Sequence, residues 1–289
     1  MRINFYEKRV KMSIRTDLAI EENLEEQGIN SVEKKEGEVT VCEVEIKSEE
    51  KAKILRKNIG KYITISFPSL EKLNDFEIIK KYIKTSLESL LPKSVESTLI
   101  IGLGNTDITA DSVGPVTAEK ILATRHIVGE FSERIGLKGL KSVAVVRPDV
   151  LGKTGIETAE ITESIVKKIK PQAVIVIDAL CSGSIDRLFN TIQLSDSGIS
   201  PGSGVKNKRK ELSQKTLGVP VIAVGIPTVV DALTLAFELT GKESKMNTDL
   251  IVTPKDADLL THRMSEILAE SLNVFLQPEI EEEILLELV

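Results

Sequence analysis

Two aspartates stand where acid–base chemistry on water would need them. Asp111 closes the loop Gly102-Leu103-Gly104-Asn105-Thr106-Asp107-Ile108-Thr109-Ala110-Asp111, which follows an apolar run at residues 98–101. Asp178 directly follows the apolar run Ala173-Val174-Ile175-Val176-Ile177. A carboxylate set straight after five apolar residues is poorly solvated unless it is paired or at work. Two such groups at neighbouring strand ends can share one proton. Like charges held close raise one pKa, so that one group serves as base toward water and the other as acid. Structural readings stand beside this one: Asp111 as a cap or loop carboxylate, Asp178 as half of a buried pair.

Other groups carry weaker signals. Asp196-Ser197-Gly198 has the D-[ST]-G form of pepsin-like and retroviral aspartic proteases, but those are all-β proteins. Gly102-x-Gly104 lacks the third glycine of a dinucleotide fingerprint, and Asp107 in that place would repel a pyrophosphate. The Gly102–Asn105 turn instead offers backbone N–H groups to a developing oxyanion. The loop at 200–210 carries glycines and bases, Lys206 among them, as a substrate edge, an anion nest or a solvated loop. No G-x-S-x-G elbow or H-E-x-x-H occurs, and Gly152-Lys153-Thr154 lacks the upstream glycine of a P-loop. Only His126 and His262 exist. His126 reads as the dipole partner closing a helix, and Cys181 as a packed thiol.

The elements that must hold these groups begin near residue 96. Apolar runs at 98–101, 142–146, 173–177, 219–225 and 250–253 alternate with helical patterns at about 115–126, 155–169, 229–239 and 256–272. Continuous Val/Ile runs predict strands buried on both faces, hence a mostly parallel central sheet flanked by helices. Sites in such sheets lie beyond the carboxyl ends of the strands. Residues 18–95 are charge-rich, with alternating strands at 39–46 and 61–67 and a helix over 75–91. They predict a small β-containing appendage on the α/β core of residues 96–289, whose acidic tail reads as a solvated helix.

Composition narrows the class. Aromatics are 3%, Trp is absent and net charge is −6, which argues against a nucleic-acid partner. Two cysteines far apart, Cys42 and Cys181, suit a reducing compartment. No signal-peptide core or apolar run of membrane-spanning length is present, so a cytoplasmic location with no membrane partner is expected.

Several blocks together resemble one family: GLGNTDITADSVGPVTAEKILATRH, GKTGIETAEI, VIDAL, SDSGISPGSGVKNKRKELSQKTLGVPVIAVGIPTVVDA and VTPKDAD. From Arg15 to about residue 260 the chain is similar to the spore germination proteases of endospore-forming bacteria. The resemblance implies an α/β, phosphorylase/hydrolase-like fold and a homotetrameric zymogen in the developing spore, without a cofactor. It implies that the zymogen cuts itself and then degrades small acid-soluble spore proteins by an atypical aspartic mechanism. Carried over by motif, the essential aspartates are Asp111, in T-x-D-x-x-GP, and Asp178, in VIDAL. Family substrates are cut after the acid in Thr-Glu-(Phe/Ile)-Ala, and Thr16-Asp17-Leu18-Ala19 is a near copy. The implied cut lies between Asp17 and Leu18, with residues 1–17 as propeptide. The chain is short for the family, chiefly in the middle and at the C-terminus. Two rivals remain: a metal-dependent peptidase like those that trim hydrogenase subunits, which also open with a G-x-G-N loop, and a non-catalytic module binding basic spore proteins.

Overall fold

A computed structural model describes residues 16–22, 24, 28–70, 76–134, 136–201, 210–242 and 248–288. Lys206 and all of the expected propeptide but Thr16 and Asp17 lie outside the described residues. The strands are β1 (Ser31–Glu36), β2 (Val39–Ile46), β3 (Gly60–Ser66), β4 (Ser97–Gly102), β5 (Ser142–Val146), β6 (Ala173–Ser182), β7 (Thr191–Ser195), β8 (Val221–Asp231) and β9 (Ile251–Val252). They form one sheet in the order β1-β2-β3-β7-β8-β6-β4-β5, with β9 on β8.

The sheet has two halves. In the first, β5, β4, β6 and β8 run parallel, as their uninterrupted Val/Ile composition requires. In the second, β1, β2, β3 and β7 pair antiparallel, and β7 joins this half to β8. The N-terminal β unit therefore continues the core sheet edge to edge. The joining strand, Thr191-Ile192-Gln193-Leu194-Ser195, was not expected: its five residues are all buried, with a glutamine at the centre.

The longer helices are α1 (Glu49–Leu55), α2 (Glu77–Leu90), α3 (Val113–Glu119), α4 (Thr158–Ile169), α5 (Ala232–Thr240) and α6 (Ala257–Leu276). On one face, α2 buries Ile79, Ile83 and Leu87, and α6 buries Met264, Leu268 and Leu272, against Ile100, Ile175, Ile177 and Ile222. This four-residue spacing is the apolar stripe of a helix. Opposite, Ala159 and Val166 of α4 meet Leu99, Ile101, Val174 and Val176. A third cluster joins Ala19, Leu24 and Leu55 to Cys42, Val44 and Tyr62 of β2 and β3.

Two element boundaries differ from expectation in ways that matter for the site. Helix α3 ends at Glu119, so His126 lies exposed in a turn and closes no helix. Strands β6 and β8 pair far beyond residues 177 and 225. Past a register shift at Leu180/Cys181, Cys181 pairs with Val229 and Ser182 with Val230. The bulge accommodates Pro227, which a regular inner strand would exclude.

Helix α3 lies unusually close to the ends of β4 and β6. A Cβ on Gly114 would sit 2.1 Å from the Leu103 oxygen and 2.5 Å from the Ile177 oxygen; one on Gly102 would sit 2.4 Å from the Gly114 oxygen. These are backbone atoms, which cannot swing aside. Gly114→Ala should therefore destabilise the chain by about 1–3 kcal/mol or more, read as a lower urea midpoint. An unchanged midpoint would show that α3 can lift from the sheet.

Candidate active site

At Gly102, β4 stops pairing and the chain turns away. Leu103 N–H still donates to the Ile177 oxygen at 2.8 Å, so the loop after β4 starts beside the residue that precedes Asp178. The loop then folds back on itself. Asn105 N–H donates to the Asp111 oxygen at 3.0 Å and Asp111 N–H to the Ile108 oxygen at 2.8 Å. Gly104 makes the turn at φ +123, where a Cβ would meet the Asp111 main-chain oxygen at 1.9 Å and its Oδ1 at 3.3 Å. Only glycine fits there, and the turn holds the Asp111 carboxylate against it.

Asp178 lies within β6 and is 7% exposed. Its Oδ1 accepts from Ala179 N–H at 3.0 Å. Asp111, Asp178, Gly104 and Asp17 all line one cavity of about 620 Å³ at the carboxyl ends of β4 and β6, with Arg56, Lys57 and Tyr62 on the side of the antiparallel half.

The other sequence candidates lie elsewhere. Gly102 packs under α3, and Asn105 spends its N–H on Asp111 and its Oδ1 on Asp107 N–H. Of the three residues expected to face an oxyanion, Gly104 borders the cavity. The Asp107 carboxylate, 73% exposed, pairs with Lys153 at 2.7 Å and holds that ammonium's pKa up. Asp196 is exposed, and its Oδ1 accepts from Lys61 N–H at 2.7 Å, fastening the end of β7 to β3. His262 pairs with Glu266 along α6. Among the described residues no group of three or more His, Cys, Asp and Glu side chains is arranged to hold a metal.

The segment around the expected cut is docked in detail. Asp17 N–H donates to the Cys181 oxygen at 2.9 Å, and Cys181 N–H donates to Asp17 Oδ2 at 2.8 Å. Lys57 Nζ holds the Thr16 oxygen at 2.6 Å, and Thr16 Oγ1 accepts from Leu18 N–H at 2.9 Å. Leu18 and Ala19 are fully buried, and burying the leucine alone contributes about 1.5–3 kcal/mol. Farther on, the Glu21 side chain, 4% exposed, accepts from Ser182 Oγ at 2.8 Å and Gly183 N–H at 2.7 Å and pairs with Arg187 at 3.2 Å. The family resemblance pointed to Thr16–Ala19, but nothing in the sequence announced Glu21 or Lys57.

Burial, then the charges of Asp17 and Asp231, push the Cys181 thiol up to about 12. It stays protonated, and the packed-thiol reading stands. Burial likewise pushes Tyr62 up to about 12. Both folded-state pKa values lie above the reference values of 9.0 and 10.0. Their stabilisation is therefore complete below about pH 9 and is lost as pH rises toward 12, because the unfolded chain ionises first. The urea midpoint should fall steadily above about pH 9, and less steeply in Cys181→Ala. A thiol reagent at neutral pH should find neither buried cysteine until denaturant is added; rapid labelling of the native chain would contradict this environment.

The model of the germination protease family matches residues 7–241. The germination protease of Clostridium tetani (strain Massachusetts / E88) is 39% identical over 315 aligned positions, covering 93% of this chain and 97% of that relative. The germination protease of Oceanobacillus iheyensis is 44% identical over 248 positions, 79% of this chain and 67% of the relative. An alignment of 315 positions against a chain of 289 residues means that the clostridial relative carries segments absent here. Among solved structures, a NiFe hydrogenase maturation protease, HycI from Thermococcus kodakarensis KOD1, aligns with 65% of this chain and 98% of its own at 15% identity. Its TM-score of 0.35 is too low to carry an argument. Matched by the family model over most of its length, and by a relative across nearly the whole of both chains, this chain belongs to the germination protease family.

Proposed function

We propose that this peptidase is a self-processing spore endopeptidase that cuts itself between Asp17 and Leu18. It then cuts small acid-soluble spore proteins after the acid of Thr-Glu/Asp-apolar-Ala sequences. One observation carries the reading: Asp17, the residue before the proposed cut, lines the same cavity as Asp111 and Asp178 and is hydrogen-bonded through main chain and side chain to Cys181. The chain is extended at Leu18 and turns into a 3-10 helix from Ala19 to Glu21, so the strand holds the segment at Asp17 itself.

The mechanism follows from two carboxyl groups sharing one cavity. One aspartate takes a proton from water as the water oxygen bonds to the Asp17 carbonyl carbon. The other gives a proton to the Leu18 nitrogen as the C–N bond breaks, and the products are a carboxylate at Asp17 and an amine at Leu18. Specificity for an acidic residue before the cut fits the Cys181 N–H, which receives the Asp17 carboxylate in a charge-assisted hydrogen bond. An apolar residue after the cut fits the complete burial of Leu18. The proposed homotetramer draws on family resemblance and is checked by sedimentation.

Intact mass followed over time at mildly acidic pH tests this reading. Wild type should lose residues 1–17, while Asp111→Asn and Asp178→Asn should slow by roughly 10²–10⁴-fold, the range for loss of a positioned acid or base. Variants that shorten at the wild-type rate would remove the aspartate pair. Processing abolished by a chelator would instead favour a metal.

A further inference from the structure

Gln193 sits at the centre of β7, opposite Thr64 of β3 and Gly225 of β8, and is 7% exposed. Its side chain leaves the sheet to reach residues 174 and 176 positions earlier in the chain. Nε2 donates to the Asp17 oxygen at 3.2 Å, and Oε1 accepts from Ala19 N–H at 2.7 Å. These partners determine the orientation of the amide, because a peptide oxygen only accepts and a peptide N–H only donates. One buried side chain thus holds the residues on both sides of the Asp17–Leu18 bond, as a peptide unit would in a β-ladder.

We infer that Gln193 is a catalytic residue: its Nε2–H stabilises the oxyanion that forms on the Asp17 carbonyl when water adds. The inference rests on the reading of Asp17–Leu18 as the scissile bond. As the water oxygen bonds to the carbonyl carbon, the π electrons move onto the oxygen that Nε2 already faces. When the C–N bond breaks they return, and the nitrogen leaves with a proton. A donor at 3.2 Å is at the long end of the N–H···O range, so the bond can shorten as charge builds. The donor itself is 7% exposed, which strengthens its interaction with a developing charge. Lys57, one of the two cations lining the cavity beside Arg56, is committed to the Thr16 oxygen, which its Nζ holds at 2.6 Å. The same arrangement serves a substrate in trans once residues 16–21 give up their place.

Two near-isosteric variants of the full chain, Q193E and Q193M, separate this role from simple packing. Q193E keeps the acceptor for Ala19 N–H and loses the donor to the carbonyl; Q193M loses both. Self-processing, read by intact mass, should slow about 10²–10³-fold in each, the usual loss for one oxyanion donor. In Q193E the Ala19 amide should keep its hydrogen-exchange protection. Its rate should recover as pH falls, because a protonated carboxyl donates again. Thermal unfolding checks each fold, and Q193M alone decides if Q193E is too unstable. If the folded variants process within about threefold of wild type, or if Q193E slows only because Ala19 protection is lost, Gln193 is not the oxyanion donor. Wild type uncut at Asp17–Leu18 overturns both this inference and the proposed function. Processing that survives Asp111→Asn removes the aspartate pair alone.

Discussion

The site depends on a difference in length between two neighbouring strands. β4 accompanies β6 only from Ala173 to Ile177 and turns off at Gly102, while β6 continues to Ser182 with β8 as its partner. From Asp178 onward, one edge of β6 is left without β4 in the interior of the sheet. Unpaired edges invite another extended chain. Here the chain's own Asp17 takes both main-chain groups of Cys181, one through its N–H and one through its carboxylate. The cavity, the aspartate at its floor and the docked segment follow from that early departure of β4.

What makes β4 leave is steric. Gly104 at φ +123 accepts the Asp111 carbonyl where any Cβ would collide, and Gly114 lets α3 rest directly on the Leu103 and Ile177 carbonyls. The same close approach that ends the strand carries Asp111 back over the end of β6. Packing and the placement of Asp111 are one arrangement here.

Charge around the docked segment is balanced at short range. The Asp17 carboxylate receives a backbone N–H, Glu21 receives Ser182, Gly183 and Arg187, and Glu22 pairs with Lys57 at 3.5 Å. Burial nonetheless raises the Glu22 pKa, only partly offset by Lys57. Burial first, and then the nearby charges of Asp17 and Asp231, raise the Cys181 thiol to about 12. The docked segment's acids are thus held individually, each by its own donors.

Much of this was legible along the chain. Unbroken Val/Ile runs declared the parallel strands, four-residue apolar spacing declared α2, α4 and α6, and the glycine turn with Asp111 and the apolar run before Asp178 declared where carboxylates would gather. Such features are encoded by neighbours within a few residues, through period and steric freedom. The limits of that local code appear at β7, a five-residue strand holding a buried glutamine, and at β8, where the expected strand stops at Gly225 and a helix is expected from 229 but the strand runs on to Asp231. In both cases pairing partners outweighed local preference. Asp196 had the form of a catalytic motif and fastens backbone, while Asp107 pairs with Lys153 at the surface. By itself the sequence determined the parallel strands β4, β5, β6 and the start of β8, the alternating strands β2 and β3, the long helices that cover them, and the two candidate aspartates, but not β1, β7 or α1. Only the tertiary structure decided that Asp17, Cys181 and Gln193 meet, because hydrogen bonds spanning more than 160 positions arise from sheet order and strand length, which no local pattern records.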